Sequence, residues 1–172
     1  MKNIIIKFGL LSGFIIIVSA IFTIALISDS DSFWFAEWLG YFIMVIAFSM
    51  IFIGIKDFKN KNNNIIDFKT AFKIGLGISL VASLMYIVGW EIYFSFNGEQ
   101  FINDYSNETI NNLIESGKSP ELIDQTRSEI SESMELYRFA PYRITITFFE
   151  IFPVALIITV ISALILKTKK NN

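Results

Sequence analysis

Four apolar runs divide the chain. Residues 8–28 pass 21 positions without a charge, residues 38–55 pass 18, residues 74–90 pass 17 and residues 151–166 pass 16. An α-helix rises about 1.5 Å per residue and must cross about 30 Å of hydrocarbon, which takes roughly 20 residues. The first run suffices by itself. The last two reach full length only by continuing through Glu91 and Glu150. The pattern predicts an all-α integral membrane protein, an antiparallel four-helix bundle with spans at about 8–28, 35–55, 72–96 and 142–166.

Polar stretches between the runs predict the rest. Asn97-Gly98 reads as the end of the third span, and Gly117 as a stop after a helical stripe of Phe101, Ile102, Tyr105, Thr109, Leu113 and Ile114. Ser119-Pro120-Glu121 is a helix start: a hydroxyl cap, a proline in the first turn and an acid at the positive end of the dipole. Ile123, Ile130, Met134 and Tyr137 continue with a second stripe, and Pro141 marks the start of the last span. The expectation is a helical hairpin over about 99–138, outside the membrane, facing itself or the end of the bundle. The whole of 1–172 is one membrane domain. Residues 56–69, KDFKNKNNNIIDFK, read as a basic inner turn that can touch anionic head groups.

Charge then orients the spans. Lys2, Lys7, Lys56, Lys59, Lys61, Lys69, Lys73 and the tail lysines 167, 169 and 170 share one side with only Asp57 and Asp67. Asp29, Asp31, Glu37 and nine acids within 97–143 share the other with Lys118, Arg127, Arg138 and Arg143. Positive loops stay in the cytoplasm, so both termini are expected there, in a multi-pass protein of the cell inner membrane. The first run resembles a signal peptide in its basic start. It is long for one and lacks a small-x-small cleavage site, so it reads as a retained anchor. Trp34, Trp38 and Trp90 fall near the outer helix ends and all six Tyr in the outer half or outside, as an interfacial belt or as the lining of an outward pocket.

Composition removes whole classes of chemistry. The chain is 53% hydrophobic with mean hydropathy +0.56, and it contains no Cys and no His. Disulfides, thiolate metal sites, thiol nucleophiles and the commonest general base are excluded, so no catalytic residue, metal or cofactor is expected. Gly75-Leu-Gly77 lacks the glycine and strand of a dinucleotide fingerprint. Basic residues are too few for nucleic acid.

Small residues recur at helical spacing: Gly9 and Gly13; Gly40, Ala47 and Gly54; Ala71, Gly75, Ser79 and Ser83; Ala155, Thr159 and Ala163. In lipid, close backbone contact drives helix association. These stripes serve a tight bundle or a homo-oligomer equally well.

Glu91 and Glu150 are the acids inside the runs. Counted from Lys73 and from Lys167, they lie about 27 and about 26 Å from the inner edge. Such acids must face the bundle, water or each other, because a carboxylate at mid-membrane costs about 2.5–3.5 kcal/mol. Pro153 cannot donate to the carbonyl of Phe149, and the expected helix kink there leaves that oxygen beside Glu150. Arg143, two turns above Glu150 on the same face, is its candidate partner. One reading is a proton or cation site of Glu91 and Glu150 with Arg143, Tyr86 or Tyr93 nearby; the other is a polar clamp fixing helix register.

Several stretches resemble a bacterial membrane family known as domain of unknown function 4199: GIKDF at 54–58, FKTAFKIGL at 68–76, the region of Tyr86, FFEIFP at 148–153 and ISALILK at 161–167. The resemblance implies four membrane helices with a helical insertion before the last, and no particular activity. Glu150 and Pro153 match an E-x-x-P element of that pattern. Three functions follow. The first is a structural or partner-binding membrane protein, self-associating or an accessory subunit, with the bilayer and a second membrane protein as partners. The second is a proton- or cation-coupled carrier or channel component using Glu91 and Glu150. The third, an intramembrane enzyme acting on lipid, is disfavoured by the missing His and Cys.

Overall fold

The computed structural model describes residues 1–27 and 33–168, without the side chains of 21–27 and 33–37. The expectations placed on Asp29, Asp31, Trp34, Glu37, Lys169 and Lys170 lie outside what is described. Five helices follow in order: α1 (Lys2–Ile27), α2 (Phe33–Lys61), α3 (Phe68–Glu115), α4 (Pro120–Arg138) and α5 (Ala140–Leu166), with no strand among the described residues. Four of them, α1, α2, α3 and α5, are long and apolar enough to cross a membrane. The chain divides into two units, Met1–Ile87 with Phe148–Asn172, and Val88–Thr147.

The first unit is built on the small-residue stripes. A Cβ on Gly9 would lie 2.6 Å from the Val81 side chain, and one on Gly13 2.7 Å from that of Met85, so α1 and α3 meet where neither helix has bulk. Gly75 admits Thr159 from α5 and Ile51 from α2. Ala47, Ala71, Ala155 and Ala163 are fully buried beside Phe48, Ile51, Ile74, Ile78 and Ile151. Hydroxyls add directed contacts. Ser12 donates to the Ala47 carbonyl at 2.9 Å, and the Ser79 and Thr159 hydroxyls lie 2.9 Å apart. An interhelical hydrogen bond in a membrane contributes on average about 0.6 kcal/mol, so these fix register more than they add stability.

At one end of this unit α2 overruns its expected stop at Ile55 and continues to Lys61. No Pro or Gly interrupts residues 56–61, and Lys61 pairs with Asp57 one turn back at 2.8 Å. The turn is therefore shorter than 56–69. Asn63 and Asn64 carry it in the left-handed region, at φ 52° and 61°, which Asn tolerates better than most residues. Asp67 then caps α3, accepting from the Thr70 N–H at 3.0 Å and the Thr70 hydroxyl at 2.6 Å. Lys59 donates to the Leu166 carbonyl at 2.9 Å, closing the C-terminal end of α5. The Thr168 N–H donates to the Ile66 carbonyl at 2.8 Å.

In the second unit α3 runs on without the expected break at Asn97-Gly98 and ends at Glu115. Three contacts explain the correction. The Asn97 amide donates to the Tyr93 carbonyl four residues back, tying side chain to helix. Gly98 lies under the Phe94 ring, 2.8 Å from where its Cβ would be, so the missing side chain makes room for an aromatic rather than a turn. Phe94 and Phe101 meet edge to face across that point, with centroids 6.3 Å apart. The helix stops at Gly117, at φ 64°, where the Lys118 N–H reaches the Leu113 carbonyl and the Gly117 N–H that of Ile114. Ser119 caps α4 by accepting from the Leu122 N–H at 3.3 Å. Phe101 of α3 and Tyr137 of α4 approach to 6.0 Å between centroids. Ile102 and Ile110 with Ile130 and Met134 line an open groove between these helices.

Candidate functional site

The second unit holds a buried ion pair. Arg143 lies in the first turns of α5 and is 5% exposed. Its Nε donates to Glu91 Oε1 at 2.7 Å and its Nη2 to Glu91 Oε2 at 2.6 Å, a two-point match of fork to carboxylate. Its Nη1 donates to the carbonyls of Tyr137 and Arg138, at 2.9 and 3.1 Å. Those oxygens are among the last of α4, which have no helical donor and form the negative end of its dipole. The guanidinium thus pairs with an acid of α3 and caps α4 from α5. Its carbon stands 3.9 Å from the centroid of the Phe94 ring.

Aromatic rings cluster beside this cation, with the Tyr137 ring centroid 6.0 Å from its carbon. Trp90 Nε1 donates to the Tyr137 hydroxyl at 2.9 Å, and Trp90 meets Phe101 edge to face at 5.2 Å. Tyr93 stands beside Trp90, with centroids 5.4 Å apart. Water is kept from the guanidinium on that side, which strengthens its hydrogen bonds. Further out, Arg138 pairs with Glu99 through both oxygens and with Glu135 at 3.4 Å. These groups are exposed, and such pairs contribute about 0–1 kcal/mol.

The remaining expected residues lie elsewhere. Tyr86 belongs to the first unit and packs against its apolar core. Glu150 also belongs to the first unit, where it is exposed and makes no hydrogen bond or ion pair among the described residues. Pro153 is exposed too, and α5 is one helix through it. Arg143, expected as the partner of Glu150, is engaged by Glu91. Among the described residues no three Asp or Glu gather as a metal site would need. The Ser83 hydroxyl is buried without a partner among the described residues.

Helix rows account for the different positions of the two acids. The buried row of α3 steps by four through Gly75, Ser79, Ser83 and Ile87, and the next step is Glu91. The buried row of α5 steps by four through Arg143, Thr147, Ile151, Ala155 and Thr159. Glu150 precedes Ile151 by one residue, a rotation of about 100°, and so misses the row. The α3 row was legible in the sequence, and two more steps along it reach Glu91. The α4 carbonyls and the aromatic cluster carry no comparable signal.

No curated protein and no solved structure matches the chain. Residues 7–168 match the family described as a protein of unknown function, DUF4199, and the chain belongs to that family.

Proposed function

We propose that the chain is a multi-pass protein of the bacterial inner membrane with both termini in the cytoplasm, and that it works by association within the bilayer, with itself or as an accessory subunit. In this arrangement α4 and the outer part of α3 form a hairpin on the extracytoplasmic side. One observation carries the reading: Glu150 is exposed and unpartnered within a candidate span, between the exposed apolar residues Phe149 and Ile157. An acid facing acyl chains is costly, and a neighbouring protein that supplies a hydrogen-bond donor removes that cost. Glu91 supports the same reading from the other side. Its two oxygens are each engaged by Arg143, the arrangement expected of a clamp between helices.

The test compares Glu91→Gln with Glu150→Gln in membranes of the native host. Glu150→Gln accumulates normally and loses the assembly seen by cross-linking and native electrophoresis, whereas Glu91→Gln loses thermal stability. The carrier reading replaces this one if Glu150→Gln leaves the assembly intact while either variant abolishes proton or cation flux in reconstituted vesicles.

A further inference from the structure

We propose that Glu150 of one copy accepts a hydrogen bond from the Tyr41 hydroxyl of a second copy, with the exposed face of α5 laid against the exposed face of α2. This rests on the association reading above and names its partner.

The levels match. In the first unit Ile51 of α2 and Thr159 of α5 meet at Gly75, and further along Lys59 of α2 bonds Leu166 of α5. Two shared levels in the same order make α2 and α5 parallel. Tyr41 lies ten residues before Ile51, about 15 Å along α2, and Glu150 lies nine before Thr159, about 13 Å along α5. A copy rotated about the membrane normal keeps every level. It therefore brings its Tyr41 to the height of its neighbour's Glu150 with no vertical slip.

The chemistry matches as well. Tyr41 is 44% exposed and its hydroxyl makes no hydrogen bond among the described residues. A phenol donates and a carboxyl oxygen accepts, whether or not that carboxyl carries a proton. The other exposed hydroxyl on α2, that of Ser49, is already turned onto the Ile46 carbonyl at 2.6 Å. Pro153 adds an acceptor to the same face of α5, because it has no N–H for the Phe149 carbonyl. Around the polar pair, Phe42 and Val45 of α2 are 62% and 52% exposed, and Phe149 and Ile157 of α5 are 66% and 60% exposed. The small-residue stripes that would otherwise join two copies are spent inside the first unit, where Ala47, Gly75, Ser79, Ala155 and Thr159 are buried.

The chain has no Cys, so single cysteines report the contact without background. Two differently tagged copies are co-expressed, one with Phe42→Cys and one with Phe149→Cys, and oxidised in native membranes. The mixed disulfide forms at roughly ten times the level seen when Phe42→Cys is paired with Leu84→Cys, an exposed site on α3, because only apposed Cα atoms about 4.4–6.8 Å apart can be bridged. Adding Tyr41→Phe, which changes no packing, lowers the yield about threefold to tenfold, the range expected for one intramembrane hydrogen bond. A mixed disulfide no stronger than the control, a dominant Phe149→Cys self-disulfide, or a yield indifferent to Tyr41→Phe overturns the inference. If the mixed disulfide is absent while Glu150→Gln still dissolves a complex with another protein, the association reading stands and this partner is wrong.

Discussion

Removing Glu91 or Arg143 tests whether the buried pair is the clamp described above. Breaking a fully buried pair by deleting one partner costs about 3–5 kcal/mol, because the survivor keeps a desolvated charge. Here the Glu91 side chain is 25% exposed and Arg143 keeps two carbonyl acceptors and the Phe94 face without it. Glu91→Gln should therefore cost about 2–3 kcal/mol, somewhat less than that range. Arg143→Met should cost about 3–5 kcal/mol, since it also strips the donor from the Tyr137 and Arg138 carbonyls at the end of α4. The double variant buries no lone charge, so its loss should fall short of the sum by about 2 kcal/mol or more. The assay is denaturation of the detergent-solubilised protein followed by Trp90 emission, in a background where Trp34 and Trp38 are Phe. Trp90 is a local reporter, because its indole bonds Tyr137, whose own carbonyl is held by Arg143. Strictly additive losses, with coupling below about 0.5 kcal/mol, would refute the clamp.

Three further outcomes are expected. Gly75→Ala places a Cβ 2.7 Å from Thr159 Cγ2 and 3.2 Å from Ile51 and should cost about 1–3 kcal/mol, whereas at Gly77 the nearest atoms all belong to the one flexible side chain of Ile5 and the cost should be less, both read from melting temperature. Ser119→Ala should cost about 0.5–2 kcal/mol and speed hydrogen exchange in the first turn of α4, and Gly117→Ala should cost about 1–2 kcal/mol because its φ is 64°. Hydrogen bonds from the Thr70 hydroxyl and N–H hold the Asp67 carboxyl below its ordinary value of 3.8. Their stabilisation is therefore complete above that value and fades as pH falls through the lowered one. The gap in melting temperature between the protein and Thr70→Val should close on acidification over that window.

The four helices long and apolar enough to cross a membrane were legible because crossing demands a length of uncharged chain, and that demand overrides local propensity. Gly117 and Ser119-Pro120 were legible because a left-handed residue and a side-chain cap are local devices. Asn97-Gly98 misled for the opposite reason. A glycine signals a stop only when nothing packs on it, and here Phe94, Phe101 and Tyr137 lie across the position and carry the helix through. The turn between α2 and α3 misled by composition. A run of Lys and Asn looks like a loop, yet its first six residues hold helix through an i,i+4 pair. Depth counting set the two acids level but could not tell which helix face each occupies. Arg143 belongs to Glu91 because both continue buried rows, a fact of rotation about the axis rather than of position along it.

That difference in rotation separates two roles that residue type alone would merge. An acid on the buried row has to be neutralised by its own chain, so its partner must lie in the same fold, and its loss is felt as stability. On the association reading, an acid one residue off the row takes its donor from outside, and its loss is felt as association. The E-x-x-P spacing fits the second case. Three residues turn about 300° around a helix, so Glu150 and Pro153 stay on neighbouring exposed flanks, and the carbonyl that Pro153 cannot serve belongs to Phe149, next to the acid. Moving the acid to the buried row separates the cases. Glu150→Ile combined with Ile151→Glu keeps composition and depth while turning the carboxyl onto the buried row, in the apolar core that holds Ile151, with no second arginine on that row to meet it. The swap should therefore destabilise the monomer by the several kcal/mol expected of a lone buried charge, whereas Glu150→Gln leaves it intact. Equal stability of the two variants would mean that helix face does not govern the acid's role, and the division between clamp and docking contact would fall.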